Sequence, residues 1–301
     1  MLCKVVCCAL LAGLSTAQAG TESVAVHGQA TFVEQVTAPF HAPYSGPHSL
    51  SSRHGAQTFD MTLFIGARLW RGAEAWVNPE IDQGFGLDDT LGLAGFSSGE
   101  AYKVGRSRPY WRLPRLFVRQ TVDLGGARQP LAAAANQLGG FESANRWVIT
   151  AGKFAVTDVF DTNRYAHDAR NDFLNWTAID TGTFDYAADA WGYTVGATAE
   201  WYQGAWAMRA GAFDLSDVPN SETLDPGFHQ FQWIGEIERR YAPGGLPGKA
   251  LLTLFDSRGR MALLDEALRY AQMSGVSINT ALVDVRRYRS RAGVSLSLEQ
   301  Q

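Results

Sequence analysis

Cysteine is confined to the first eight residues of this 301-residue chain, at Cys3, Cys7 and Cys8. The remainder therefore lacks the thiols needed for a disulfide framework or a cysteine-ligated metal site. Long apolar runs are also missing after residue 20, which excludes helical membrane spans. The net charge of −4 provides no basic excess, so we expect no nucleic-acid partner.

Residues 1–19 are predicted to be a secretory signal peptide. Lys4 supplies the positive charge, Val5 to Leu14 form the apolar segment, and Ala17-Gln18-Ala19 forms a small-residue cleavage site. The apolar segment is half the length of roughly twenty residues that a membrane-spanning helix requires. We therefore expect an exported protein whose single domain covers residues 20–301.

Alternation with a period of two is the main structural signal, and it is clearest over residues 191–202. Trp191 and Trp201 share one face, and ten residues of strand extend about 33 Å. A tilt of about 40° leaves roughly 25 Å along the membrane normal, the height of the apolar band of an outer-membrane barrel. We therefore predict that Trp191, Trp201 and Trp206 belong to aromatic girdles.

Ten segments alternate in this way, although Gln120 interrupts the apolar face of one of them. The predicted strands are 24–36, 59–69, 73–79, 114–123, 146–154, 191–202, 206–213, 231–241, 249–256 and 288–298.

The connections alternate between short and long, as they do between periplasmic turns and outer loops. Residues 124–145 break the pattern and are expected to hold either a helix or a missed strand pair. The prediction is an all-β fold, a transmembrane antiparallel up-and-down barrel. The alternative is an exported soluble β-sandwich, whose strands also alternate. The short links are 71–72, 203–205 and 242–248, and the long ones are 37–57, 80–112, 155–190, 214–230 and 257–287.

Several loop and strand motifs together resemble the carbohydrate-selective porin family of Gram-negative outer membranes, the OprB type, from about residue 30 onward. They are PFHAPYSGPHSL at 39–50, LWRGAE at 69–74, NPEIDQGFGL at 78–87, GFSSGEAYK at 95–103, RLFVRQT at 115–121, GKF at 152–154 and DVFDTNRYAHD at 158–168, followed by Arg170 and FLNW at 173–176.

The resemblance implies a barrel of about sixteen strands, with loops that fold inward to form a polar constriction. It implies passive diffusion of small neutral sugars, no cofactor and no enzymatic chemistry. Its expected partners are outer-membrane lipid and the barrel-assembly machinery. Because only ten strands are readable and the chain ends on Gln301 rather than an aromatic residue, we interpret it as a member truncated at its C-terminus. The alternative is that ten strands close as a smaller barrel, whose lumen would be largely filled by side chains.

Polar side chains concentrate in residues 158–175, after a predicted strand on the outer side. Carboxylate, amide and guanidinium groups bond sugar hydroxyls in pairs, and aromatic rings such as Tyr165 and Trp176 cover the apolar face of a sugar. Alternatively, these charges pair with one another and only stiffen an outer loop. The predicted constriction residues are Asp161, Asn163, Arg164, His167, Asp168, Arg170 and Asn175.

Four charged residues within the predicted strands complete the candidate pore lining, namely Arg68, Arg119, Glu200 and Arg209. A charge on the lipid face near the midplane costs about 2–4 kcal/mol, so these side chains are expected to point inward. Their mixed signs argue against strong ion selectivity.

Other chemistries are less well supported. Glu80 with Asp82, or Asp185 with Asp189, could form the carboxyl pair of a glycoside hydrolase, which would suit a soluble carbohydrate-binding or carbohydrate-cleaving protein. The histidines show no metal-ligand spacing, so no metal site is expected. Residues 262–273 are predicted to form a short amphipathic helix in an outer loop.

Overall fold

The computed structural model describes residues 10–13, 21–46, 49–52, 54–90, 97–102, 104–182, 185–225 and 227–301. They form one antiparallel sheet whose strands follow chain order. The strands are β1 (Leu10–Gly13), β2 (Val24–Val36), β3 (Gly55–Trp70), β4 (Ala73–Gly84), β5 (Arg106–Leu131), β6 (Gly140–Phe154), β7 (Thr194–Gln203), β8 (Trp206–Asp214), β9 (Phe231–Tyr241), β10 (Gly248–Met261) and β11 (Arg287–Gln300).

The ten predicted strands are confirmed as β2 to β11, and each pairs with its neighbours in sequence. The β-sandwich alternative is wrong, because the described strands form a single sheet with no second sheet packed against it. In that sheet β1 and β11 lie at opposite edges and do not pair with each other. Strand β1 falls within the predicted signal peptide and pairs with β2. The proposed cleavage site lies outside the described residues.

Alternation places apolar side chains on one face of the sheet and mixed side chains on the other. In β8, Trp206 and Met208 are exposed, whereas Ala207 and Arg209 are buried. We call the buried side the inner face, because residues 155–182 and 185–193 pack on it, and the other side the outer face. All four charged strand residues of the predicted pore lie on the inner face, as expected from the period of a strand.

Aromatic side chains lie near both ends of the outer face. At one end Trp147 and Trp201 are paired across β6 and β7, with ring centroids 6.4 Å apart, and Trp206 lies at the adjacent hairpin. At the other end Trp111 and Trp233 are exposed, and sequence analysis did not select either of them.

The assignment of Trp191 to a girdle is wrong. Strand β7 begins only at Thr194. Gly192 has a φ of 97°, so the backbone between Trp191 and β7 is not extended and Trp191 lies outside the strand. The indole Nε1 of Trp191 donates to the hydroxyl of Tyr110 at 3.1 Å. The guanidinium of Arg112 lies 5.7 Å from the indole ring. Trp191 therefore joins a polar cluster instead of the outer face.

Residues 124–145 contain neither a helix nor an extra strand pair. Strands β5 and β6 instead continue as a long hairpin with register shifts near Gly125, and residues 132–139 turn back beneath the sheet. Leu138 is 2% exposed and joins the inner apolar cluster. Its backbone N–H donates to Glu74 at 3.2 Å, and Arg119 donates to the carbonyl of Asn136 at 2.8 Å. This end of the inner face is therefore partly covered.

The predicted helix is confirmed as α1 (Leu264–Ser274), and a second helix, α2 (Ile278–Asp284), follows it. Gly275 has a φ of 71° and ends α1 in the left-handed region that favours glycine. The Ser277 side chain caps α2 by accepting from the Thr280 N–H. No helix in the described part of the chain is long and apolar enough to cross a membrane.

An apolar core lies between the inner face and the described parts of the connection after β6, residues 155–182 and 185–193. Phe154 packs edge-on against Phe213 at 5.6 Å, and Phe213 packs edge-on against Phe160 at 6.0 Å. Gly196 makes room for this stack, because a Cβ at that position would lie 2.3 Å from the Phe213 ring. The core therefore joins the connection that contains Phe160 to the wall formed by β6 to β8.

Candidate functional site

Residues 155–182 and 185–193, which we call the inward loop, follow β6 and cross the inner face of the sheet. One end of the crossing is fixed to β2 and β3 by Arg170. Its guanidinium donates to the hydroxyl of Thr31 at 2.9 Å and to the carboxylate of Asp60 at 3.0 Å. The same guanidinium lies 2.9 Å from Glu100, a residue of the β4–β5 connection.

The other end of the crossing is fixed to β9, β10 and β11. The backbone N–H of Asp161 donates to Glu236 at 2.8 Å, and that of Arg164 donates to Glu299 at 3.0 Å. Lys249 donates to the hydroxyl of Thr162 at 3.1 Å. The inward loop is therefore bonded to β2 and β3 near one edge of the sheet and to β9, β10 and β11 near the other edge. These bonds fix the distance of the loop from the sheet.

Within the loop, short polar side chains cap turns. Asp161 has a φ of 54°, and its carboxylate accepts from the backbone N–H and the hydroxyl of Thr181 at 2.6 and 2.7 Å. Asn163 accepts from the Tyr165 and Ala166 N–H groups, and Asn175 accepts from Thr177. The loop therefore folds inward and its polar side chains bond within it, while contact of those side chains with a sugar stays a prediction.

His167 and Asp180 form a hydrogen-bonded titratable pair in this loop, and the pKa values of both shift. The His167 Nδ1 lies 2.5 Å from the Asp180 carboxylate. This hydrogen bond raises the pKa of His167 above 6.5, against an opposing effect of burial. Burial raises the pKa of Asp180, and His167 partly opposes that rise.

The pair predicts a pH-dependent loop. The folded-state pKa of His167 exceeds its unfolded value, so its stabilisation is complete below about pH 6.5 and is lost as the pH rises through the raised pKa. Asp158 and Asp168 also favour the protonated imidazole. We expect trypsin cleavage after Arg164 or Arg170 to accelerate as the pH rises through that value, after correction for the pH dependence of trypsin itself.

The matched control is His229→Gln, at a side chain that is 84% exposed in another loop. Cleavage in His167→Gln should lose the pH dependence, whereas His229→Gln should keep it. If His167→Gln and the parent chain gave the same pH profile, the assignment of the titration to this pair would be wrong.

Arg209 is the centre of a buried ion cluster on the inner face. Its side chain is 5% exposed and lies 2.7 Å from Glu236, 2.8 Å from Glu238 and 3.4 Å from Glu200. The hydroxyl of Tyr202 donates to Glu200 at 2.5 Å. The sequence brings these groups together by strand register, since Arg209 pairs with Glu200 on β7 and with Glu236 on β9.

Arg68 and Arg119 lie on the inner face near the short turns. The Nε of Arg68 donates to the carbonyl of Glu22 at 3.0 Å. Arg119 lies 2.8 Å from Glu74 and also donates to the carbonyl of Asn136. Arg68 therefore holds the residues before β2, and Arg119 holds residues 132–139. Both contacts lie at the end of the sheet opposite the long loops.

A second inner cluster was missed by sequence analysis. Arg112 forms ion pairs with Glu80 and Asp82, and its guanidinium lies over the ring of Tyr102 at 4.5 Å and that of Tyr193 at 5.1 Å. The spacing of two between Glu80 and Asp82 was a usable signal, because it puts both carboxylates on one face of β4.

The carboxyl pairs considered for glycoside hydrolysis have other partners. Glu80 and Asp82 are both engaged by Arg112. Asp185 is paired with Arg291, and Asp189 accepts from the backbone of Trp191 and Tyr193. No group of three or more potential metal ligands is found within the described ranges.

Arg115 joins the inward loop to β5. It forms a two-pronged ion pair with Asp158, with nitrogen–oxygen distances of 2.6 and 2.8 Å. Burial opposes ionisation of Asp158, but the charge and hydrogen bonds of Arg115 outweigh it and lower the pKa of Asp158. The start of the loop is therefore held at the wall by a charged contact in addition to the aromatic stack.

Comparison with known proteins places these features in context. The family model described as "Carbohydrate-selective porin, OprB family" matches residues 48–301. The fold is similar to that in the "High pH structure of Pseudomonas putida OprB", with a TM-score of 0.61 at 15% sequence identity. The match covers 93% of this chain and 61% of that one, so this chain spans less than two thirds of its relative. No curated protein matches.

Proposed function

Since this chain belongs to the carbohydrate-selective porin family OprB, we propose that it forms the wall and constriction of a passive pore for small neutral sugars. The family is one of outer-membrane channels, and the all-β up-and-down sheet agrees with that class. The proposal requires no cofactor and assigns no enzymatic reaction to the chain.

The observation that carries this proposal is the double attachment of the inward loop. Arg170 bonds it to β2 and β3, and Asp161 and Arg164 bond it to β9 and β11. A segment fixed at two sides of a curved wall narrows the space inside that wall without closing it. Its polar side chains can then replace part of the hydration of a sugar.

The predicted constriction residues divide by exposure. Over the whole residue, backbone included, Asp161 is 3% exposed and Arg209 is 7% exposed. These two residues therefore hold the inward loop and the sheet in place. Arg164 and Asn175 are exposed, and three exposed rings of the same loop offer apolar surface to a sugar. Those rings are Tyr165, Phe173 and Trp176.

The outer face is proposed to contact outer-membrane lipid after export and assembly by the barrel-assembly machinery. It carries exposed apolar side chains along every long strand, such as Leu252 and Leu254 on β10. Soluble proteins rarely expose contiguous apolar surface of this extent. Cleavage of the signal peptide after Ala19 would leave Gly20 as the first residue, which N-terminal sequencing of the protein from outer membranes tests.

Liposome swelling tests the pore itself. The full chain, reconstituted into liposomes, should admit monosaccharides faster than salts of equal size, because the constriction presents both hydrogen-bond donors and acceptors. Swelling rates that depend on solute size alone would contradict sugar selectivity and leave a general pore. Swelling no faster than that of protein-free liposomes would contradict the pore.

The remaining alternative, a soluble carbohydrate-binding or glycoside-cleaving protein, is separated by the same preparation. A pore-forming barrel requires detergent and shows a heat-modifiable mobility in gels. A chain that stays soluble without detergent and lacks this mobility shift would support the soluble alternative.

A further inference from the structure

We propose that a cavity of about 350 Å³, between the inward loop and strands β8 to β11, binds a monosaccharide that carries an anionic group. The proposal goes beyond the proposed pore for small neutral sugars, on which its biological meaning rests, by adding an anionic solute class. The volume lies at the lower end of the range for ligand sites, about 300–1,000 Å³. This size suits one sugar ring.

The two carboxylates of this cavity already have cationic or backbone partners. The two oxygens of Glu238 accept from Arg240 at 2.6 Å and from Arg209 at 2.8 Å. One oxygen of Glu299 accepts from the Arg164 backbone at 3.0 Å, and the other lies 3.8 Å from Lys249. Both carboxylates are therefore already paired with cations of the cavity lining, and each oxygen keeps room for a further hydrogen bond.

Donors, in contrast, are in excess. The guanidinium of Arg164 forms no ion pair or hydrogen bond with another residue of the described ranges. Arg240 uses its Nε for Glu238, its guanidinium lies 5.4 Å from the Tyr202 ring, and its side chain stays 44% exposed. Its two terminal nitrogens form no hydrogen bond within the described structure. An arginine offers five N–H donors in a planar fork that matches a carboxylate or a phosphate.

The charges of the cavity lining point the same way. Four cationic side chains, Arg164, Arg209, Arg240 and Lys249, line it with only two carboxylates. Arg209 is paired with glutamates, Arg240 with Glu238 and Lys249 with Glu299, which leaves Arg164 as the lining cation without an ion pair within the described residues. A solute that brings its own negative group fits the guanidinium of Arg164 and the terminal nitrogens of Arg240.

Two tyrosines supply contact for the ring of the sugar. Tyr165 of the inward loop is 44% exposed, and Tyr241 of β9 lines the other side. The Tyr241 hydroxyl donates a hydrogen bond to the backbone carbonyl of Glu299 at 3.0 Å. Aromatic rings pack against the C–H faces of sugars, so the anionic group and the ring would be bound by different parts of the cavity.

The test is direct binding to the folded full chain in detergent, by calorimetric titration at constant ionic strength with glucuronate, glucose 6-phosphate and glucose. We expect one or both anionic sugars to bind more tightly than glucose, and the tighter one identifies the charged group. Arg164→Gln and Arg240→Gln should each weaken anionic binding about tenfold, the size expected for a charge-assisted hydrogen bond.

The matched control is Arg258→Gln, on the outer face of β10 with a half-exposed ion pair to Asp256, which should bind as the parent does. The cavity assignment is overturned if glucose binds as tightly as both anions, or if both cavity variants keep the preference. Liposome swelling by glucose separates the two claims. Passage of glucose with no preference for anionic sugars in the binding assay would support the pore and contradict the anionic site. Binding of anionic sugars that depends on the two arginines, without passage of glucose, would support the site and contradict the pore.

Discussion

Replacing Arg209 by methionine is expected to lower the free energy of unfolding by about 3–5 kcal/mol, the cost of removing one partner from a buried ion pair. The guanidinium is bonded by Glu236 and Glu238 and lies near Glu200. Without it, three carboxylates remain together in a buried position. Methionine keeps the apolar stem, so the change reports the loss of charge and hydrogen bonds.

Urea unfolding of the reconstituted chain, followed by tryptophan fluorescence, measures this effect. Arg269→Met is the control, because Arg269 on α1 pairs with Asp265 while both side chains are about two-thirds exposed, and such pairs contribute about 0–1 kcal/mol. Adding Glu236→Gln and Glu238→Gln to Arg209→Met should restore part of the stability. A loss below about 1 kcal/mol for Arg209→Met would contradict a role for this cluster in holding the wall.

Replacing Arg170 by methionine is expected to release the inward loop from β2 and β3 and to admit larger sugars. The side chain is the contact from the loop to Thr31, Asp60 and Glu100, and breaking a buried charged contact costs about 3–5 kcal/mol. A cost of that order shifts the attachment equilibrium more than about a hundredfold. Disaccharides should then swell liposomes at rates closer to those of monosaccharides.

The destabilisation caused by Arg170→Met is also expected to depend on pH. Burial raises the pKa of Glu100 well above its ordinary value, and Arg170 opposes that rise. Without Arg170, Glu100 holds its proton to a higher pH, so the cost of the substitution should be smaller in acid and grow as the pH rises. Faster trypsin cleavage of the loop, increasing with pH beyond the parent profile, would accompany the change.

Arg106→Met is the matched control for this experiment, since Arg106 forms a 3.3 Å ion pair with Glu222 and both side chains are half-exposed. It should leave the size limit unchanged. An unchanged ratio of disaccharide to monosaccharide rates in Arg170→Met would show that the loop does not set the constriction through this contact.

The sequence by itself determined the wall of this protein. Alternation is a local property, because successive strand residues point to opposite faces whatever the strand pairs with. It therefore predicted β2 to β11, the inner positions of Arg68, Arg119, Glu200 and Arg209, and the order of short and long connections. The loop motifs likewise predicted the family before any contact was known.

Only the tertiary structure decided what the inner side chains bind. Two partners of Arg170, Thr31 and Asp60, lie 139 and 110 residues away in sequence. The contacts that Arg164 and Lys249 make also depend on where the loop crosses the sheet. Trp191 was wrongly assigned because a glycine with positive φ ends the alternation there. Strand faces follow from the local period of the backbone, whereas the constriction and its cavity follow from long-range contacts that no local period encodes.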